Sequence, residues 1–124
     1  MKVAPHEALV FVYDGRSGIA AIALDVVKKL AGREDCALCE ITYGPTGKRG
    51  AWRECERRLE LPIEERHRDD LPPAWAARVD TLPCVLLRRG DSVRVLLDRD
   101  RIEACGRRPE ALELAIRDAL RASA

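Results

Sequence analysis

Sulfur is the first chemistry this sequence offers. Its 124 residues include Cys36, Cys39, Cys55, Cys84 and Cys105, five cysteines in all. The string Cys36-Ala37-Leu38-Cys39 has the spacing of a redox dithiol or of half a zinc site. An odd count fits a disulfide framework poorly, so inert reduced thiols, a redox pair or a metal site remain. Structural zinc takes four ligands, and Cys55, Cys105 or His67 would have to complete the set begun by Cys36 and Cys39. Ala37 to Tyr43 is expected to be a strand, in which residues three apart point to opposite faces. The pair then meets only if Cys36 sits in a turn before it, as Gly32 to Asp35 would allow. Cys84 opens the apolar string Cys84-Val85-Leu86-Leu87. It reads as a small core residue or, with a helix N-terminus beside it, as a thiol of lowered pKa.

Phosphate chemistry is the second possibility to weigh. Gly44-Pro45-Thr46-Gly47-Lys48 is expected to link a strand to a helix, as a P-loop does. Only two residues separate its glycines, however, and Arg49 stands where the Mg²⁺-holding hydroxyl belongs. Nucleotide hydrolysis is therefore set aside. What survives is an anion site made by amides at a helix start, with Lys48 and Arg49 beside them. Arg16 and Arg53 would join it facing an acidic small molecule or thiol cofactor, unless the whole stretch, with Glu54, Glu56 and Glu60, is a solvated charged surface. Ser17 reads as an N-cap rather than a nucleophile, since neither His6 nor His67 is placed to act as its base.

The elements that must position these groups follow from periodicity. Ala8 to Tyr13 is a continuous apolar run, expected of a strand covered on both faces. Asp14-Gly15-Arg16-Ser17-Gly18 makes a turn, and Ile19, Ile22, Ala23, Val26, Val27 and Leu30 recur at helical spacing after it. A helix over 49–59 buries Trp52, Cys55 and Leu59, and Ile63 to His67 is a short polar edge strand. Asp70 is expected to cap a helix carrying Pro72, Pro73, Trp75 and Val79. Thr81 to Arg88 and Ser92 to Asp98 form a hairpin through Arg89-Gly90-Asp91. The last helix opens near Pro109 and buries Leu112, Ala115, Ile116, Ala119 and Leu120.

A 47% hydrophobic content argues against disorder, and the length suits one domain over residues 1–124. Twenty-two basic residues against 21 acidic ones leave +1, which removes the electrostatic case for nucleic acid. No apolar run reaches the roughly 20 residues that span a bilayer. With no signal-like apolar segment at Met1 to His6, the expectation is a cytoplasmic protein without membrane association.

The order β-α-β-α, then Thr81-Leu82-Pro83-Cys84-Val85-Leu86-Leu87, a hairpin and a terminal helix resembles the thioredoxin and glutaredoxin-like fold. That resemblance implies an α/β domain with a mixed sheet of four to five strands flanked by helices. It also implies a cis bond at Leu82-Pro83, facing the helix that follows the first central strand at Asp14 to Gly18. The family's redox members carry Cys-x-x-Cys or a single Cys at that helix start, whereas this chain has Asp14-Gly15-Arg16-Ser17. A hydroxyl cannot exchange with disulfides, so the usual chemistry is absent from that position. The leading expectation is an accessory protein that binds an anionic small molecule or a protein partner through Asp14, Gly15, Arg16, Ser17, Tyr43, Lys48, Arg49, Leu82 and Pro83. No cofactor is required by it. The alternatives are a thiol-dependent redox enzyme using Cys84 or the Cys36/Cys39 pair, with or without a small thiol, and a zinc protein built on that pair.

Overall fold

The apolar run at Ala8 becomes a central strand because it has no polar face to offer water. In a computed structural model, which describes residues 7–14, 37–44 and 47–123, it forms β1, Glu7–Tyr13, with Ala8 to Tyr13 all buried. The helix expected after Ser17 lies outside the described residues, as do Gly15, Arg16, Ser17 and Cys36. The later elements are α1 (Ala37–Thr42), β2 (Tyr43–Gly44), β3 (Gly47–Lys48), α2 (Gly50–Leu59) and β4 (Ile63–His67). They are followed by α3 (Pro73–Ala76), β5 (Cys84–Arg89), β6 (Ser92–Leu97), α4 (Arg99–Glu103) and α5 (Pro109–Ala122).

The main sheet has four strands in the order β4-β1-β5-β6. β4 runs parallel to β1, whereas β5 and β6 are each antiparallel to their inner neighbour. The sheet is mixed and flanked by helices, as expected. The Leu82-Pro83 bond is cis. Register pairs Val12 with Cys84, which sets Pro83 next in line beside Tyr13 at the carboxyl end of β1. The polar segment Ile63–His67 is an edge strand, with Leu9 opposite Ile63 and Tyr13 opposite His67.

Alternation along β1 divides the core. Leu9, Phe11 and Tyr13 face the helices, packing with Leu38, Ile41, Trp52, Leu59, Leu112 and Ile116. Val10 and Val12 face the other way and cluster with Cys84, Leu86 and Val93, at whose margin Leu71, Trp75, Val79 and Leu82 pack. Trp52 is fully enclosed, with its ring centroid 5.5 Å from that of Phe11. The helical stripes fall largely where periodicity placed them: Trp52, Cys55 and Leu59 on α2, and Leu112, Ile116 and Ala119 on α5. Ala115 and Leu120 are only partly buried, at the edge of the cluster. No helix among the described residues is long and apolar enough to cross a membrane.

Two expectations need correction here, and one helix is new. Ala37 to Tyr43 is not a strand. Ala37, Leu38, Ile41 and Thr42 are buried together, a helical spacing, and Thr42 Oγ1 donates to the Leu38 carbonyl at 2.9 Å. Its β-branched Ile-Thr pair gave the segment a strand-like composition over too short a window for the period to show. Asp70 does not cap a helix; its carboxylate accepts from the His67 amide at 2.7 Å and closes the turn after β4. α4 was not foreseen, although Asp98 caps it by accepting from the Arg101 amide at 2.9 Å.

Glu113 locks α5 to α2. Its carboxylate takes three contacts from Arg58, at 2.8, 3.2 and 3.2 Å, and one from Arg117 at 3.1 Å. Hydrogen bonding from Arg58 leads the causes that hold its pKa down at about 2. A depressed carboxylate stabilises the fold above its unfolded pKa, and that contribution fades as pH falls from about 4.5 towards about 2. Glu113→Ala is expected to cost about 1–3 kcal/mol at neutral pH, the usual cost of removing a charged hydrogen-bond partner. Urea unfolding at pH 7 and pH 3 checks this, and the variant's penalty must shrink at the lower pH.

Candidate functional site

Open α/β sheets take their ligands beyond the carboxyl ends of parallel strands. At that end of β1 and β4 the structure gathers polar groups from four elements. β1 supplies Tyr13, with Asp14 just beyond it, and β4 supplies Glu65 and His67. α1 ends on Thr42, and the hairpin of β2 and β3 adds Tyr43 and Lys48. Parallel register explains half of this: Phe11 pairs with Glu65 and Tyr13 with His67, so Glu65 and His67 share Tyr13's face. The rest follows from the helix end, where the Arg49 amide donates to the Thr42 carbonyl at 2.8 Å and folds the hairpin back.

The carboxylate of Glu65 is the hub. Tyr43 Oη donates to both of its oxygens at 2.8 Å, and Tyr13 Oη donates to Oε2 at 3.2 Å. Lys48 Nζ stands 3.8 Å from Oε2 and 3.1 Å from Glu56 Oε1, and lies over the Tyr43 ring at 5.8 Å. Tyr13 is only 5% exposed, and its hydroxyl also meets Thr42 Oγ1 at 3.1 Å. Because Thr42 already donates to Leu38, two hydroxyl hydrogens serve three contacts, and one of them is shared. The Tyr13 and Tyr43 rings meet edge to face with centroids 6.1 Å apart, and His67 lies 6.0 Å from Tyr13 on another side.

Both phenols are held in the protonated form. Burial, then the Glu65 charge, pushes Tyr13 well above the ordinary phenol range. For Tyr43 the order is burial, the hydrogen bond to Glu65, then its charge. They are hydrogen-bond donors across the whole physiological range.

The other residues expected in the site fall around this hub unevenly. Asp14 lies within 3.8 Å of Arg68. Lys48 takes part directly, but Arg49 does not: its guanidinium donates to the Glu40 carbonyl at 2.9 Å and the Arg107 carbonyl at 3.5 Å, bracing α1 against the segment before α5. Gly44 and Gly47 pair across the hairpin, so the stretch read as an anion loop begins and ends as strand, with Pro45 and Thr46 outside the described residues. Pro83 is buried at the same end of the sheet, and Leu82 packs on the opposite face. The Arg53 amide donates to the Arg49 carbonyl at 3.0 Å, but its side chain makes no hydrogen bond or salt bridge with the described residues. It lines an open groove of about 500 Å³ with Lys48, Glu54, Glu56 and Arg57.

Cys55, Cys84 and Cys105 stand apart from this chemistry, whereas Cys39 adds a small push to the Tyr13 phenol. Cys84 is 1% exposed, and burial pushes its pKa up to about 12, the opposite of the lowering that a reactive thiol needs. Burial also leads in raising Cys55, to about 11, and Cys105. Cys39 rides α1 beside the core, so the opposite-face argument made for a strand does not apply to it. Among the described residues no three His, Cys, Asp or Glu side chains converge as metal ligands. Glu65, Tyr13 and Thr42 were not singled out from the sequence. Only a tyrosine closing an apolar strand and a carboxylate in a polar edge strand marked them.

Tyr13 and Tyr43 are the only tyrosines in the chain, so phenol titration reads this site alone. Free tyrosine ionises near pH 10; here the phenolate absorbance is expected to rise only well above that. Glu65→Gln removes the repelling charge and must bring the rise to lower pH. Raised folded-state values also mean that the phenols' contribution to stability is complete below about pH 10 and is lost as pH climbs beyond it.

Compared with known proteins, the chain matches no family model, no curated protein and no solved structure.

Proposed function

We propose that this chain is a thioredoxin-like accessory protein that binds an anionic group, carried by a small molecule or a protein partner, at the carboxyl ends of β1 and β4. Three features support the thioredoxin-like reading. β1 is a central strand, a cis-proline immediately precedes the β5–β6 hairpin, and a helix follows that hairpin. The observation that carries the binding role is Arg53. It leaves its guanidinium without a hydrogen-bonding partner among the described residues, in a groove it shares with Lys48, beside the phenol cluster. An arginine fork set against open space suits a carboxylate or phosphate, to which it can donate in pairs.

Redox chemistry through Cys84 is the weaker reading, because that thiol is enclosed and its proton is held tightly. Turnover would also need a nucleophile or base aimed into the groove. The groups in its lining that could serve, Lys48, Glu54 and Glu56, are engaged in ion pairs, Lys48 with Glu56 and Glu54 with Arg57. That set can hold charge without breaking bonds.

Chemical-shift titration with inorganic phosphate and with a tetraglutamate peptide tests this. Saturable shifts centred on Arg53, Lys48 and Tyr43 are expected with at least one of them. Arg53→Glu should weaken that binding by at least about tenfold, equivalent to roughly 1.4 kcal/mol. Shifts scattered over the surface, or an Arg53→Glu protein that binds as well as the parent, would refute the assignment.

A further inference from the structure

The geometry around Glu65 is that of a bound carboxylate, except that the carboxylate belongs to the protein. Tyr43 grips both oxygens at 2.8 Å, Tyr13 reaches one of them at 3.2 Å, and Lys48 adds its charge at 3.8 Å. The innermost donor is pre-organised. Tyr13 is 5% exposed and backed by the fully buried Thr42, and its ring lies against that of Tyr43. The occupant is not. Glu65 is on an edge strand and its side chain keeps 32% of its exposure, so it can swing outward without opening the core. A donor set anchored on a buried phenol and filled by a movable acceptor of the protein's own is the arrangement of a ligand seat held closed from within.

We infer that Tyr13, Tyr43 and Lys48 form a carboxylate-binding seat which Glu65 occupies in the unliganded protein, so that an incoming carboxylate binds by displacing it. This rests on the anion-binding reading above and deepens it. The ligand's anchoring group is a carboxylate, whose two coplanar oxygens match the two that Glu65 presents, and the Glu65 contact is autoinhibitory. Phenol donors suit this class because they are uncharged and directional, whereas a phosphate dianion would call for more than one cation at the seat. Affinity for an external carboxylate is then lowered by the fraction of molecules in which Glu65 holds the seat.

Acetate is the probe, with tyrosine ring resonances as the readout. Glu65→Ala empties the seat and is expected to bind acetate saturably, at least about tenfold tighter than the parent protein, with shifts on Tyr13 and Tyr43. Sodium chloride at the same ionic strength should leave those rings unmoved, and phosphate should bind more weakly than acetate. Adding Tyr43→Phe to Glu65→Ala should abolish the gain. Glu65→Ser carries the same comparison should the alanine variant fold poorly. In the parent protein, which tests the idea without any substitution, high acetate must shift the same two rings in the same direction. Equal acetate affinity with and without the Glu65 carboxylate, an equal response to chloride, or tighter binding of phosphate overturns the proposal. The two readings fail separately. Acetate binding to Glu65→Ala without any Arg53-dependent anion binding keeps the seat and removes the groove; the converse keeps the groove and removes the seat.

Discussion

Burial of β1 on both faces is the constraint from which the rest of the structure follows. A strand with Ala8 to Tyr13 all enclosed cannot lie at a sheet edge, so it must find a partner on either side and a layer above and below. β4 and β5 supply the partners, one parallel and one antiparallel. α2 and α5 supply one layer through Trp52, Leu112 and Ile116. At about 25 cal/mol for each Å² of apolar surface removed from water, those side chains outweigh any polar contact described above.

The same constraint builds the site. Side chains alternate along β1, so Leu9, Phe11 and Tyr13 share one face, and the last of them reaches the sheet end with a hydroxyl where the others carry only carbon. Parallel pairing puts Glu65 and His67 on that same face one strand away, while Glu64 and Arg66 go to the other, where Arg66 lies over Trp75. A one-residue slip of β4 would exchange these sets and take the carboxylate from both phenols. The polar edge strand is thus specified by its chemistry at one end as much as by its hydrogen bonds.

Much of the framework was legible because its signals are long. The apolar strand, the two amphipathic helices around Trp52 and Ile116, the Gly90 turn and the proline before Cys84 each state their structure locally. α1 was misread for the opposite reason. Six residues span less than two helical turns, so Leu38 and Ile41 could not reveal a period against the β-prone Ile41-Thr42-Tyr43. The site was legible only in fragments. Tyr43 and Lys48 were visible as polar residues near a turn. Glu65, which joins them, lies 22 residues beyond Tyr43, and nothing in that spacing marks the two as neighbours. Arg49 looked like Lys48 in the sequence, yet one reaches the cluster and the other spends its guanidinium on backbone carbonyls.

Glu113 and Glu65 are both met by donors from more than one element, and comparing them separates structure from function. Glu113 is 11% exposed at its side chain and is clasped by two arginines from two helices, so removing it unties elements that the core needs together. Glu65 ties an edge strand to a hairpin whose strands are two residues long, and it remains open to water. Half-exposed polar pairs of this kind contribute about 0–1 kcal/mol, whereas burying the Tyr13 hydroxyl is costly unless its bonds are met. Phenylalanine at position 13 would pack as well and avoid that demand. Folding alone therefore gives little reason to carry a buried hydroxyl, a second phenol and a lysine to one solvent-facing point. The arrangement does have a purpose if the carboxylate they hold can be exchanged for another.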